Sequence, residues 1–215
     1  MGFHKNSEYF SNVEKTVYKA GEEISAGLNL LQKIDKPIVT FFGSHRVASS
    51  HPNYVHAKDL AKGLGERGFA IASGGGPGIM HASNSGAMEA NAPSLAFKAE
   101  LLKGEKVTDK IFTDELSFHF LFVRRFIMSI KSSALIFYPG GYGTLNELFE
   151  YAVLMQTGIV DTIPLICVNK NYWNGLFNWL KKNPLEKDYF IRGENDLDLL
   201  HFIDDKDEIY SLLKK

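Results

Sequence analysis

Apolar and polar positions along the chain switch repeatedly between a period near 3.6 and short continuous apolar runs, which predicts helices alternating with buried strands. Residues 8–33 place Val13, Val17, Ile24, Leu28 and Leu31 at spacings near three, four and seven, so a first amphipathic helix is expected to pack on the body of the domain through them. Residues 35–37 end it. Residues 38–42 are apolar nearly throughout, the mark of a strand covered by helices on both sheet faces. A helix opening near Pro52 and running to Gly65 or Arg67, a strand over 69–72, a helix over 79–90 and a strand over 94–97 follow. Between residues 98 and 117 the periodicity is weak, with 107–112 a candidate strand and the remainder a loop over the site. Residues 118–131 predict a strongly apolar, buried helix that carries Arg124 and Arg125. Then come a strand over 134–138, a glycine turn, a helix from near Gly143-Thr144 to Gln156, and a strand over 162–168. A helix over 171–182 with Trp173, Leu176, Phe177 and Leu180 on its apolar face precedes a last helix over 205–213.

This alternation predicts an α/β fold, a Rossmann-like doubly wound parallel sheet with helices on both faces and right-handed crossovers. With 215 residues, 45% hydrophobic content and no linker or repeat, the chain reads as a single domain over 1–215, residues 1–35 being an N-terminal helical extension. A formal net charge of -1 gives no electrostatic reason to expect nucleic acid or an anionic membrane as partner. No apolar stretch approaches the ~20 residues of a membrane span. Residues 1–8 lack the apolar core of a signal peptide, and Asn6 breaks the myristoylation pattern that Gly2 suggests. The cytoplasm is the expected compartment. The single cysteine, Cys167, sits in an apolar run and reads as a packed strand residue rather than a nucleophile.

Candidate chemistry begins with two glycine-rich turns, residues 73–78 and 139–143, each following a strand and opening a helix. That geometry aims backbone N–H groups and a helix N-terminus at an anion, and it falls where open α/β sheets bind ligands. Glycines that merely supply tight turns are the plain alternative; two such turns in one small domain favour a phosphate-bearing ligand. Neither turn is a Walker loop or a dinucleotide fingerprint, so a mononucleotide fits better. Arg124 and Arg125 on an apolar helix demand anionic partners. These could be a structural ion pair with Glu147 or Glu150, or an arginine and Glu147 that meet across the site and both touch ligand. Glu147, a carboxylate one turn inside a helix built for anions, suggests chemistry rather than binding alone; beside a sugar it could stabilise a developing cation or orient water or a hydroxyl, the plain alternative being a surface glutamate. Glu150 is the plainer of the two. His51 and His56 lack the spacing of a zinc helix, His45, His81 and His119 are scattered, and no metal or cofactor is expected. No Gly-x-Ser-x-Gly elbow occurs.

Residues 139–147, Pro-Gly-Gly-Tyr-Gly-Thr-Leu-Asn-Glu, resemble the PGGxGTxxE signature of the LONELY GUY family, the cytokinin riboside 5'-monophosphate phosphoribohydrolases. Phe122-Val123-Arg124-Arg125 stands where that family has an Arg-Lys pair; residues 73–80 are similar to its other glycine loop, and Phe42-Gly43-Ser44 to its first strand end. The resemblance covers about residues 37–168. It implies hydrolysis of the N-glycosidic bond of a nucleoside 5'-monophosphate, of the AMP or cytokinin-riboside type, to free base and ribose 5-phosphate. In that reading Pro139, Gly140, Gly141, Tyr142, Gly143 and Thr144 hold the 5'-phosphate, and Glu147 contacts the ribose with Arg124 as its catalytic partner. Gly43, Ser44, Ser73, Gly74, Gly75 and Gly76 line the base and ribose side, and Met80 and Arg125 complete the substrate-binding set. The resemblance further implies a homodimer or higher homo-oligomer. Arg125 in place of lysine keeps charge but changes shape, His81 stands where longer relatives carry glutamate, and segment 98–117 matches poorly. Members are often labelled lysine decarboxylases, yet no pyridoxal-phosphate lysine motif is recognisable. The competing expectations are a non-hydrolytic carrier of a phosphorylated cofactor, as in molybdenum-cofactor carriers of related fold, and a nucleotide sensor.

Overall fold

A computed structural model describes residues 12–100, 107, 110–185 and 194–213. Seven strands form one parallel sheet: β1 (Ile38–Phe42), β2 (Ala70–Ser73), β3 (Ser94–Ala99), β4 (Asp114–Phe118), β5 (Ser132–Phe137), β6 (Leu165–Cys167) and β7 (Leu200–Phe202). Their order is β4-β3-β2-β1-β5-β6-β7. The α-helices among the described residues are α1 (Val13–Gln32), α2 (Pro52–Glu66), α3 (Ile79–Glu89), α4 (Leu121–Ser129), α5 (Tyr142–Gln156), α6 (Lys170–Leu180) and α7 (Lys206–Leu212). One apolar cluster joins the sheet to α1, α4, α5 and α6, and the other joins it to α2, α3 and α7. The central strands β1 and β2 are therefore buried along their whole length, as their continuous apolar runs demand. The chain starts at mid-sheet, steps outward to β4, and returns through α4 to lay β5 on the other side of β1. Connections on either side of that reversal leave to opposite faces, so a crevice opens between the carboxyl ends of β1 and β5.

The doubly wound architecture expected from the sequence is what forms, with several local corrections. The candidate strand over 107–112 does not form in its described residues; the strand is Asp114–Phe118, at the sheet edge. Leu116 and Phe118 turn inward while Glu115 and Ser117 are exposed, an alternation normal for an edge strand that carries charge against further pairing. Phe118 thus belongs to β4, and the helix expected from it starts at Leu121. That helix is not buried all round. Phe122 is 58% exposed, and Leu121, Phe126 and Ile130 also face solvent, whereas Arg124 is only 9% exposed. Strand β7 was not expected, since three residues show no periodicity. The possible start of the first helix at residues 8–11, the Gly2 motif and most of the stretch 101–109 lie outside the described residues.

The first helix turns only part of the expected face inward, with Ile24 packed on the core and Leu31 buried. Val13, Val17 and Leu28 are exposed, and the buried stripe is Glu23, Gly27 and Leu31. At Gly27 a β-carbon would lie 2.5 Å from Ile127 Cγ1, so glycine lets α1 dock closely on α4. The Glu23 carboxylate accepts from the backbone N–H groups of His119 at 2.8 Å and Phe120 at 3.2 Å. Phe120 is the cap residue of α4 and supplies no side-chain hydrogen bond to it, so Glu23 serves the orphan donors there from another helix. In return, Lys131 Nζ donates to the carbonyls of Leu31 at 2.8 Å and Ile34 at 2.6 Å, closing the end of α1. The N-terminal helix is thereby clamped to the helix that carries the arginine pair.

Candidate active site

Three connections meet at the switch point, and Ser44 joins them. Its backbone N–H donates to Pro139 O at 3.1 Å, and its carbonyl accepts from Ile79 N at 3.2 Å. Its hydroxyl accepts from Arg46 N at 3.1 Å, shaping the turn after β1. At Gly43 a β-carbon would sit 2.8 Å from Ile79 Cγ1, so the β1 turn and the start of α3 need that glycine to approach. The sequence-selected residues Gly43, Ser44 and Pro139 are thus brought together at the crevice.

The turn after β2 is built inward. Ser73 is fully buried; its hydroxyl accepts from Gly75 N at 3.0 Å and donates to Asn84 Oδ1, while Asn84 Nδ2 donates to Ser94 Oγ at 2.8 Å. Gly75 and Gly78 both hold φ near +68°, a region closed to most side chains, and Gly78 backs onto the Ser44 carbonyl. At Gly74 a β-carbon would collide with the Arg124 guanidinium and lie 2.7 Å from Met80 Sδ. Arg124 comes from α4, and its Nε donates to Phe97 O at 2.6 Å at the carboxyl end of β3. The structure therefore places a buried guanidinium against Gly74 and Met80, at the edge of the sheet where ligands bind. Lys98 lies along Gly75, with its ammonium 2.6 Å from Glu115 Oε2 and 4.7 Å from the centre of the Phe112 ring.

The turn after β5 is built outward. Gly141 caps α5 without a side-chain hydrogen bond, and Gly141, Tyr142 and Gly143 are exposed. Among the described residues, no heavy atom outside the immediate chain neighbours and the helix's own backbone would come within 4 Å of a β-carbon at Gly141 or Gly143. Gly140 is the crowded member, since its α-carbon backs onto the Thr144 hydroxyl. The result is an open helix N-terminus, where unpaired N–H groups and the helix dipole favour an anion. Glu147 lies one turn in and is partly buried. Burial is the main cause that raises the Tyr151 phenol well above its ordinary range, and the Glu147 and Glu150 charges add to it; the phenol donates to Arg125 O at 2.9 Å. Arg125 makes an ion pair with Glu150, Nε to Oε2 at 2.5 Å, a charge contact without hydrogen-bond alignment. That pair joins α4 to α5, the same two helices that carry Arg124 and Glu147.

Three of the described histidines, His51, His56 and His81, hydrogen-bond within the scaffold. His51 Nδ1 accepts from Asn53 N at the start of α2 at 3.1 Å. His56 Nε2 donates to Asp204 O at 2.9 Å, which leaves Nδ1 to accept from the buried Tyr138 hydroxyl at 2.7 Å. His81 Nδ1 shares a 2.6 Å hydrogen bond with Tyr54. Among the described residues no group of three His, Cys, Asp or Glu could hold a metal ion, and no helix is long and apolar enough to cross a membrane. Cys167 is buried in β6, and burial pushes its thiol up to about 12, so it stays a protonated core residue. Sequence reading passed over Tyr172, whose hydroxyl donates to Gly140 O at 2.5 Å, and Glu23. The aromatic pair Tyr172-Trp173 at a helix start was the available signal for the first.

A protein-family model described as "Possible lysine decarboxylase" matches residues 80–213, more than half of the 215-residue chain. A cytokinin riboside 5'-monophosphate phosphoribohydrolase of Arabidopsis thaliana is 29% identical over 153 residues, 67% of this chain and 67% of its own length. A probable enzyme of the same name from Oryza sativa subsp. japonica is 28% identical over 169 residues, 77% of this chain and 66% of its own. The chain thus spans about two thirds of the length of these curated relatives. The solved molybdenum cofactor carrier protein of Chlamydomonas reinhardtii shares the fold, with a TM-score of 0.58 at 21% identity over 84% of this chain and 99% of that one. With the glycine turns, the arginine helix and the 139–147 signature assembled around one crevice, the chain belongs to the LONELY GUY family, the family that carries the lysine decarboxylase description.

Proposed function

We propose that the chain hydrolyses the N-glycosidic bond of a nucleoside 5'-monophosphate, AMP or a cytokinin-riboside monophosphate, to free base and ribose 5-phosphate. The observation that carries the reading is the pairing of an open helix N-terminus at Gly141 with a buried cation, Arg124, across two glycine turns of one crevice. The 5'-phosphate occupies the turn of residues 139–144, where Gly141 and Gly143 leave room for its oxygens. Gly43 and Ser44 border the ribose. The 73–76 turn and Met80 line the base side, with Arg125 steadying α4 through Glu150. The C1'–N bond breaks with its electron pair leaving on the base, and Glu147 stabilises the cationic ribosyl centre that forms. Water then adds its oxygen to C1', and its proton balances the charge taken up by the departing base. Arg124 holds the substrate and Glu147 in register for that step.

Lysine decarboxylation would call for a lysine able to hold pyridoxal phosphate as an imine. Lys98, packed against Gly75, is instead charge-paired with Glu115 and seated over Phe112, an arrangement that does not fit that role. The solvent-facing apolar side chains of α4 and its C-cap, Leu121, Phe122, Phe126 and Ile130, support assembly with a second copy of the chain, which light scattering tests. For the activity, purified protein is incubated with AMP, GMP, CMP and isopentenyladenosine monophosphate, and released base is followed by chromatography. Free base with stoichiometric ribose 5-phosphate is expected from at least one; intact nucleotide in every case would overturn the hydrolase and leave a carrier or sensor.

A further inference from the structure

We propose that Tyr172 is a positioning residue for the phosphate loop, its hydroxyl fixing the peptide between Gly140 and Gly141 so that N–H groups and not a carbonyl oxygen face the 5'-phosphate. The proposal rests on the phosphate-site reading above and deepens it. Rotating a peptide plane changes ψ of the residue before it and φ of the residue after it, and here both are glycines, which resist least. A flipped Gly140 carbonyl would present partial negative charge to an anion. The two glycines that flank this peptide therefore leave its polarity undetermined.

Hydrogen bonds from outside the loop determine it. Pro139 O is taken by Ser44 N at 3.1 Å, and Gly140 O is taken by the Tyr172 hydroxyl at 2.5 Å. Tyr172 is itself held. Its N–H donates to Asn169 O at 3.0 Å, and its ring meets the Trp173 ring edge-on with centres 4.8 Å apart. Trp173 is buried, and its indole N–H donates to Val168 O at 3.0 Å. Beneath them the Asp204 carboxylate accepts from Asn169 N at 2.6 Å and Lys170 N at 3.0 Å, anchoring the start of α6. A rigid helix end thus carries one hydroxyl to one carbonyl of an otherwise compliant turn.

The test is Tyr172→Phe, which keeps the ring and its contact with Trp173. Ribose 5-phosphate binding is measured by calorimetry, and KM and kcat are measured with AMP. Loss of this hydrogen bond is expected to raise the ribose 5-phosphate Kd and the AMP KM about tenfold, with kcat within about twofold and Tm unchanged. An unchanged Kd, or a fall in kcat at constant KM, overturns the proposal. Wild type that binds ribose 5-phosphate in a Tyr172-dependent manner but releases no base supports the latch and overturns only the hydrolase. Wild type that binds no ribose 5-phosphate overturns the latch, and the hydrolase falls with it only if no base is released.

Discussion

The two glycine turns share a composition and are filled by different things. In the turn of residues 73–78 the space that glycine leaves is taken by the protein itself: the Arg124 guanidinium at Gly74, Lys98 at Gly75, the Ser44 carbonyl at Gly78. In the turn of residues 139–143, among the described residues, no atom beyond the chain neighbours and the helix backbone would come within 4 Å of a β-carbon at Gly141 or Gly143, and both residues are exposed. The first turn uses glycine to draw a charged side chain and a neighbouring backbone into the crevice wall; the second uses it to leave room. A glycine-rich loop is therefore evidence of close approach, and what approaches has to be read from the neighbours.

The largest effect expected from that contrast is catalytic. Arg124→Ala empties the wall behind Gly74 and should lower base release from AMP by about 10²–10³-fold, as loss of a preorganised charge does; an initial-rate assay that found less than a tenfold loss would break the assignment. Gly78→Ala forces a side chain into a φ near +68° against the Ser44 carbonyl and should cost about 2–3 kcal/mol in urea unfolding. Glu23→Ala removes the carboxylate that caps α4 from another helix and should cost about 1–2 kcal/mol by the same measurement. Gly143→Ala should behave in the opposite sense. The residue is helical with open space around it, so stability should rise by up to about 1 kcal/mol while the AMP KM increases, because the new methyl group occupies the ligand's room. If Gly143→Ala were as destabilising as Gly78→Ala, the two turns would not differ as described.

The smallest effect lies in the scaffold behind the second turn. His56 bridges Tyr138 and Asp204, and burial, outweighing the Asp204 hydrogen bond, lowers its pKa below 6.5. The unfolded chain therefore takes up this proton at a higher pH than the folded protein. The contribution to stability is complete above pH 6.5, falls as pH drops below 6.5, and levels off once the folded imidazole is also protonated. Melting temperatures from pH 8 to 5 should show that decline for the wild type and a flatter profile for His56→Gln.

Much of the architecture was legible because its signals are local. The apolar run of residues 38–42 can only be a covered strand, and the 139–147 stretch joins a strand end, two glycines and a helix start within a few residues. What escaped reading depends on partners far along the chain. Glu23 caps a helix 97 residues away, and Tyr172 latches a carbonyl 32 residues away; neither contact leaves a periodic trace. The buried face of α1 is legible only in Ile24 and Leu31, because its other members, Glu23 and Gly27, are not apolar, and burial there follows a cap and a close helix crossing. The helix of Arg124 misled in the reverse sense, since its apolar residues partly face solvent while its arginine faces the sheet. Strand β4 was missed because an edge strand buries only every second residue.

The central claim, that this crevice breaks an N-glycosidic bond with Glu147 at the reacting centre, is tested most directly by measuring base release from AMP by wild type and Glu147→Gln side by side. The account predicts adenine and ribose 5-phosphate in equal amounts from wild type and a loss of about 10³-fold in kcat for Glu147→Gln, with ribose 5-phosphate still bound. Equal rates from the two proteins would contradict it.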